Sequence, residues 1–60
     1  MSAWDDLQEE ALEKVELAGV YLADGAPRSA ARCLRGAANK LEQAANLRDQ
    51  ALAAALAAAS

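Results

Sequence analysis

The side chains able to do chemistry in this sequence are one thiol, a run of carboxylates and a run of guanidinium groups. Cys33 is the single cysteine, and the chain has no histidine. A cysteine nucleophile is commonly activated by an imidazole, and zinc sites take several Cys and His ligands. We therefore expect Cys33 to be a small core residue, and we expect no catalytic residues, no metal site and no cofactor.

The carboxylates follow a helical spacing. Glu9, Glu13 and Glu16 fall at i, i+4 and i+7, which places them on one face of a helix. Carboxylates in helical bundles bind metal ions where a Glu-x-x-His motif completes the ligand set. Since histidine is absent, the sequence predicts a solvated acidic face.

The guanidinium groups repeat that spacing at Arg28, Arg32 and Arg35. Such a stripe is typical of a face that docks an acidic partner, a phosphate or a nucleic-acid backbone. The alternative, which we favour, is a solvated face that pairs with the acidic residues of the first helix. No aromatic residue interleaves with the arginines, and the net charge of −3 argues against general nucleic-acid binding.

Two helices and one turn must position these faces. Ser2 is a good N-cap residue, and Asp5 follows three positions later as in a capping box. Gly25 suits the left-handed residue that ends a helix, and Pro27 suits the first position of the next one. The pattern predicts an all-α fold, an antiparallel helix-turn-helix hairpin in one domain spanning 1–60. Its helices are expected at about 3–24 and about 27–58, with the turn at 25–26.

Small and apolar residues recur at steps of three and four along both predicted helices. In the first helix the stripe is Trp4, Leu7, Ala11, Val15, Ala18 and Leu22. In the second it is Ala30, Leu34, Ala37, Leu41, Ala44 or Ala45, and then Leu52 and Leu56. These stripes are predicted to face each other.

Folding at the turn puts residue i opposite a residue near 51 minus i. Gly19 then nearly faces Gly36, and we expect the two glycines, with Ala18 and Ala37, to let the backbones approach closely. The same register predicts two ion pairs between the helices, Glu16 with Arg35 and Glu13 with Lys40.

The predicted second helix outlasts the first by about ten residues. A 60-residue chain buries a small core, and small scaffolds are commonly stabilised by disulfides, metals or association. One cysteine cannot form an intrachain disulfide, so we expect a second chain to cover the apolar surface, as a homodimeric four-helix bundle. The predicted interface residues are Trp4, Leu7, Leu12, Leu41, Leu52 and Leu56.

Residues 14–38 resemble a single tetratricopeptide repeat, a 34-residue helix-turn-helix unit. The matching positions, at the offsets of that family, are Leu17, Ala18, Tyr21, Gly25, Ala30, Leu34 and Ala37. The family's aromatic in the first helix falls here on Lys14, and its closing proline is absent. The resemblance implies a protein-binding module whose repeat stacks on another unit.

These observations predict a small non-enzymatic interaction or adaptor protein that self-associates or docks on a larger helical partner. We expect it to be cytoplasmic, because the sequence has no signal-peptide pattern and no membrane span. One alternative is a dimeric nucleic-acid-binding regulator that uses Arg28, Arg32 and Arg35. Another is a small chaperone or subunit whose tail covers a helix of a larger protein.

Overall fold

A computed structural model describes residues 2–59 and shows two packed helices, α1 (Ala3–Ala23) and α2 (Pro27–Ala59). No strand occurs within those residues. The all-α antiparallel hairpin predicted from the sequence is confirmed, with each helix ending within one residue of its predicted end. The principal extents are 54 × 18 × 10 Å, so the hairpin is a single layer of two helices with both broad sides open.

The start of α1 is fixed by the predicted cap. Ser2 has extended backbone angles, with φ −89° and ψ 159°. Its hydroxyl donates a hydrogen bond to Asp5 Oδ2 at 2.9 Å, and its backbone N–H donates to the same oxygen at 3.4 Å. Asp5 and Asp6 also place negative charge in the first turn, where the helix dipole favours it.

The turn closes by the hydrogen bonds of a Schellman motif. Gly25 adopts a left-handed φ of 75°. Its N–H donates to the Leu22 carbonyl at 3.1 Å, and the Ala26 N–H donates to the Tyr21 carbonyl at 2.8 Å. These bonds satisfy carbonyls that the end of α1 would otherwise leave unpaired. Pro27, which has no N–H to satisfy, then begins α2.

The helices meet along a seam of alanines. The buried residues of the hairpin are each at most 3% exposed, and all are alanine: Ala11, Ala18, Ala30, Ala37 and Ala44. Within each helix they recur every seven residues, the period of a coiled-coil seam. A methyl group is the largest side chain at these points, so the two backbones pack closely.

Half-buried residues alternate with the alanines along the seam. They are Trp4, Leu7, Lys14 and Tyr21 on α1, and Ser29, Cys33, Gly36 and Lys40 on α2. Cys33, which was expected to be a small core residue, is half-buried along the seam, and its thiol is free.

The predicted apolar stripes were partly wrong. Val15, Leu22 and Leu34 were expected to lie between the helices, but they are 44%, 59% and 46% exposed. Leu41, which was predicted both in the stripe and at the interface with a second chain, is 48% exposed. The seam repeats every seven residues and on α1 passes through Ala11, Lys14 and Ala18. Val15, four residues after Ala11, therefore lies beside the seam and not in it. The large side chains therefore lie outside the contact between α1 and α2.

The predicted close crossing is right for Ala18 and Ala37, which are buried, and wrong for the two glycines. Gly19 is exposed, and a Cβ built on it meets nothing within 4 Å. Gly36 instead receives the side chain of Lys14, whose Cδ would stand 3.2 Å from an added Cβ. The buried alanines, rather than the glycines, provide the close approach of the helices.

The observed register lies one residue from the predicted one. Lys40 Nζ lies 3.0 Å from Glu10 Oε2, and Lys14 lies against Gly36, so residue i is opposite a residue near 50 minus i. The two predicted ion pairs, Glu16–Arg35 and Glu13–Lys40, are absent from the described residues. Since α1 begins at Ala3, α2 has no helix beside it from about residue 48 onward.

Candidate functional site

The most unusual surface of the hairpin is a set of large aliphatic side chains beside the alanine seam. We define the apolar face as Leu12, Val15 and Leu22 on α1 with Leu34 and Leu41 on α2. These side chains are between 44% and 59% exposed. Isolated exposed leucines are ordinary, but a contiguous apolar patch on a protein surface marks an interaction site.

Helix geometry brings the five residues to one side of the hairpin. Each follows a seam position by one residue: Val15 and Leu22 follow Lys14 and Tyr21, and Leu34 and Leu41 follow Cys33 and Lys40. In an antiparallel pair the positions that follow the seam in this way line the same side of both helices. Leu12 follows Ala11 and borders them.

The opposite side of the hairpin carries a charged depression. Glu10, Glu13, Lys14 and Lys40 line an open depression there, which we call the polar edge. The side-chain ion pair between Lys40 and Glu10 lies in it. This side is not uniformly charged, because Leu17, which precedes the seam residue Ala18 as Glu10 precedes Ala11, is 45% exposed on it.

The six predicted interface residues lie in three places. Leu12 and Leu41 belong to the apolar face. Trp4 and Leu7 are half-buried near the start of α1. Leu52 and Leu56 are 53% and 73% exposed on residues 48–59, the overhang of α2.

Sequence reasoning missed Val15, Leu22 and Leu34 as surface residues because it assigned them to the contact between α1 and α2. The seven-residue repeat of a coiled-coil seam did not separate the two sets. Val15 and Leu22, and Leu34 and Leu41, are seven residues apart just as the buried alanines are.

The three arginines share a groove on the outer side of α2. Pro27, Arg28, Ala31, Arg32 and Arg35 line an open groove of about 390 Å³, which we call the arginine groove. All three arginine side chains are exposed, and among the described residues none forms an ion pair with α1. The expected pairing of this stripe with the acidic residues of α1 is therefore wrong, because the groove lies away from α1.

The acidic stripe is likewise on the surface. Glu9, Glu13 and Glu16 are all exposed. Among the described residues, no group of three or more His, Cys, Asp or Glu side chains is arranged to hold a metal ion. Over the same residues, neither helix is apolar enough along its length to cross a membrane.

Comparisons with known proteins assign no family. No protein-family model, curated protein or solved structure matches this chain. The function is therefore argued from the surfaces themselves: an apolar face, a polar edge, an overhang and an arginine groove.

Proposed function

We propose that this hairpin is a helical protein-interaction module that works as a homodimer, in which the apolar faces of two copies pack together as a four-helix bundle. The observation that carries the proposal is that the small side chains are buried and the large aliphatic ones are exposed. The buried core consists of alanines, while ten large aliphatic side chains are at least 37% exposed.

The energetic reason is that burying alanines removes little apolar surface from water. Full burial of a leucine or valine side chain stabilises a fold by about 1.5–3 kcal/mol. The isolated hairpin lacks much of this stabilisation at each exposed position. A stable domain needs at least two packed layers around its core. A second copy supplies the missing layer.

The exposed area is larger than that of a compact protein of the same mass. The chain exposes 4523 Å². A compact protein of 6.2 kDa is expected to expose about 3,700 Å². The excess of about 800 Å² comes from the apolar face together with the overhang, whose residues 48–59 are all exposed.

The resemblance to a tetratricopeptide repeat agrees with this function. A single repeat leaves an apolar side uncovered and stacks on another unit. The alanines that carry the resemblance are buried here, whereas Leu17 and Leu34 are exposed.

The test is the oligomeric state of two matched variants. Leu34 on the apolar face and Leu17 outside it are 46% and 45% exposed. In sedimentation experiments the native chain should be a dimer, Leu34→Glu should be monomeric and Leu17→Glu should remain dimeric. A native chain that is a stable, fully helical monomer contradicts the proposal.

A chain that is unfolded alone and gains helix only beside another protein would instead favour the subunit or chaperone alternative. Circular dichroism of the isolated native chain distinguishes these outcomes.

A second candidate function rests on the arginine groove. Three guanidinium groups around one groove, without ion-pair partners among the described residues, suit an anionic partner such as a nucleic-acid backbone. Binding to RNA or DNA that weakens steeply with salt, and is lost in the double variant Arg28→Ala and Arg32→Ala, would favour this candidate.

A further inference from the structure

Two arrangements bury the apolar face equally well. If the two-fold axis runs along the helices, α1 of each copy lies beside α2 of its partner. If the axis runs across the helices, α1 lies beside α1 and α2 beside α2. Neighbouring helices are antiparallel in both arrangements. Burial of the apolar face therefore does not choose between them, and charge does.

The two helices carry opposite charge. α1 has six carboxylates and one lysine, a net charge of −5. The part of α2 beside it, residues 27–47, has three arginines, one lysine and one glutamate, a net charge of +3. The axis across the helices juxtaposes like charges in both helix pairs, whereas the axis along the helices juxtaposes opposite charges. Such complementarity fixes the orientation of partners.

One pair of residues shows the effect most directly. Glu16 and Arg35 are at the same level of the hairpin, but both are exposed and neither forms an ion pair within residues 2–59. Rotation about an axis along the helices leaves levels unchanged. It therefore brings the edge of α1 that carries Glu16 beside the edge of the partner helix that carries Arg35.

We propose that the two-fold axis of the homodimer runs along the helices, with α1 of each copy beside α2 of the other and Glu16 paired with the partner's Arg35. This inference rests on the homodimer proposed above. Its consequence is that both overhangs emerge at the same end of the bundle, at diagonally opposite corners.

A single spin label on the overhang tests the arrangement. Ala58 is exposed near the end of α2, and Cys33→Ser removes the native thiol before Ala58→Cys is labelled. With overhangs at the same end, the distance between labels should be about 20–30 Å, since neighbouring helices lie about 10 Å apart and the two α2 helices, which are diagonal, about 14 Å apart. With overhangs at opposite ends it should be about 60–70 Å, because each Ala58 then lies about 21 residues, at 1.5 Å per residue, from the middle of the paired part of α2. The long distance in a dimeric sample overturns this inference alone, whereas a monomeric sample overturns the homodimer as well.

Charge exchange gives an independent test. Glu16→Arg or Arg35→Glu alone should weaken the dimer by about tenfold, because the change occurs twice per dimer. The double variant should restore the native dissociation constant, measured by sedimentation equilibrium with helicity checked by circular dichroism. If α1 lies beside α1 instead, Glu16→Arg alone reduces repulsion and strengthens the dimer, and that result overturns the inference.

Discussion

Lys40 Nζ on α2 lies 3.0 Å from Glu10 Oε2 on α1, and this ion pair fixes the register of the hairpin on its polar edge. The side chains of Lys40 and Glu10 are 34% and 52% exposed, so water screens the attraction. The pair therefore selects one alignment of the helices more than it stabilises the fold.

Removing this ion pair should have a small effect. We expect Lys40→Met to lower the free energy of unfolding by about 0.5 kcal/mol, as is usual for a solvated pair. A double-mutant cycle with Glu10→Gln, measured by urea denaturation in low salt and in 1 M salt, isolates the interaction. The coupling energy should disappear in high salt, and a coupling above about 2 kcal/mol would contradict the assigned exposure.

Enlarging a seam alanine should disrupt the hairpin. Ala18 is 2% exposed against α2, so Ala18→Leu adds three carbons where only a methyl group fits. Overpacking of this kind costs about 1–3 kcal/mol. Ala23→Leu is the matched control, because Ala23 is exposed on the same helix and should tolerate the change. Thermal unfolding followed by circular dichroism compares them, and equal melting temperatures would disprove the alanine seam.

Gly25 and Gly19 should respond to alanine in opposite directions. Gly25 has a φ of 75°, where a Cβ is strained, so Gly25→Ala should destabilise the hairpin by about 1 kcal/mol. Gly19 is helical with open space around it, so Gly19→Ala should gain up to about 1 kcal/mol of helix propensity. Chemical denaturation of both variants provides the measurement. Stabilisation by Gly25→Ala would be inconsistent with the left-handed turn.

Replacing Gly36 by alanine should change the stability by an amount between those expected for Gly25→Ala and Gly19→Ala. Gly36→Ala also gains helix propensity, but its methyl group would stand 3.2 Å from Lys14 Cδ. Because the lysine side chain must shift, we expect a smaller gain than for Gly19→Ala. The companion variant Lys14→Ala in the Gly36→Ala background removes the obstruction and should recover the difference. Non-additivity in the melting temperatures reports the contact.

The cap of α1 can be separated from the helix-dipole effect. Asp5 accepts two hydrogen bonds from Ser2, whereas Asp6 shares the first turn but is exposed. Asp5→Ala should lower stability by about 1 kcal/mol, and Asp6→Ala by no more than about half of that. Hydrogen exchange of the amides at the start of α1 should increase in the first variant only. Equal losses would assign the whole effect to the dipole.

The limits of both helices could be predicted because local interactions decide them. Ser2 with Asp5, Gly25 and Pro27 act on hydrogen bonds within a few residues of themselves, and alanine and leucine favour helix wherever they lie. The spacing of Arg28, Arg32 and Arg35 likewise placed them on one helix face without any tertiary information.

The tertiary structure decided which apolar residues lie inside the hairpin. Alanine and leucine both satisfy a spacing of three or four, so amphipathic periodicity alone grouped Ala11 and Ala18 with Val15 and Leu22. Packing separates them, because helices that meet through methyl groups come close enough for extensive contact between their backbones. The leucines and valines are then displaced to the side. The same sequence therefore specifies two helices locally, but only their packing exposes the apolar face on which the proposed function depends.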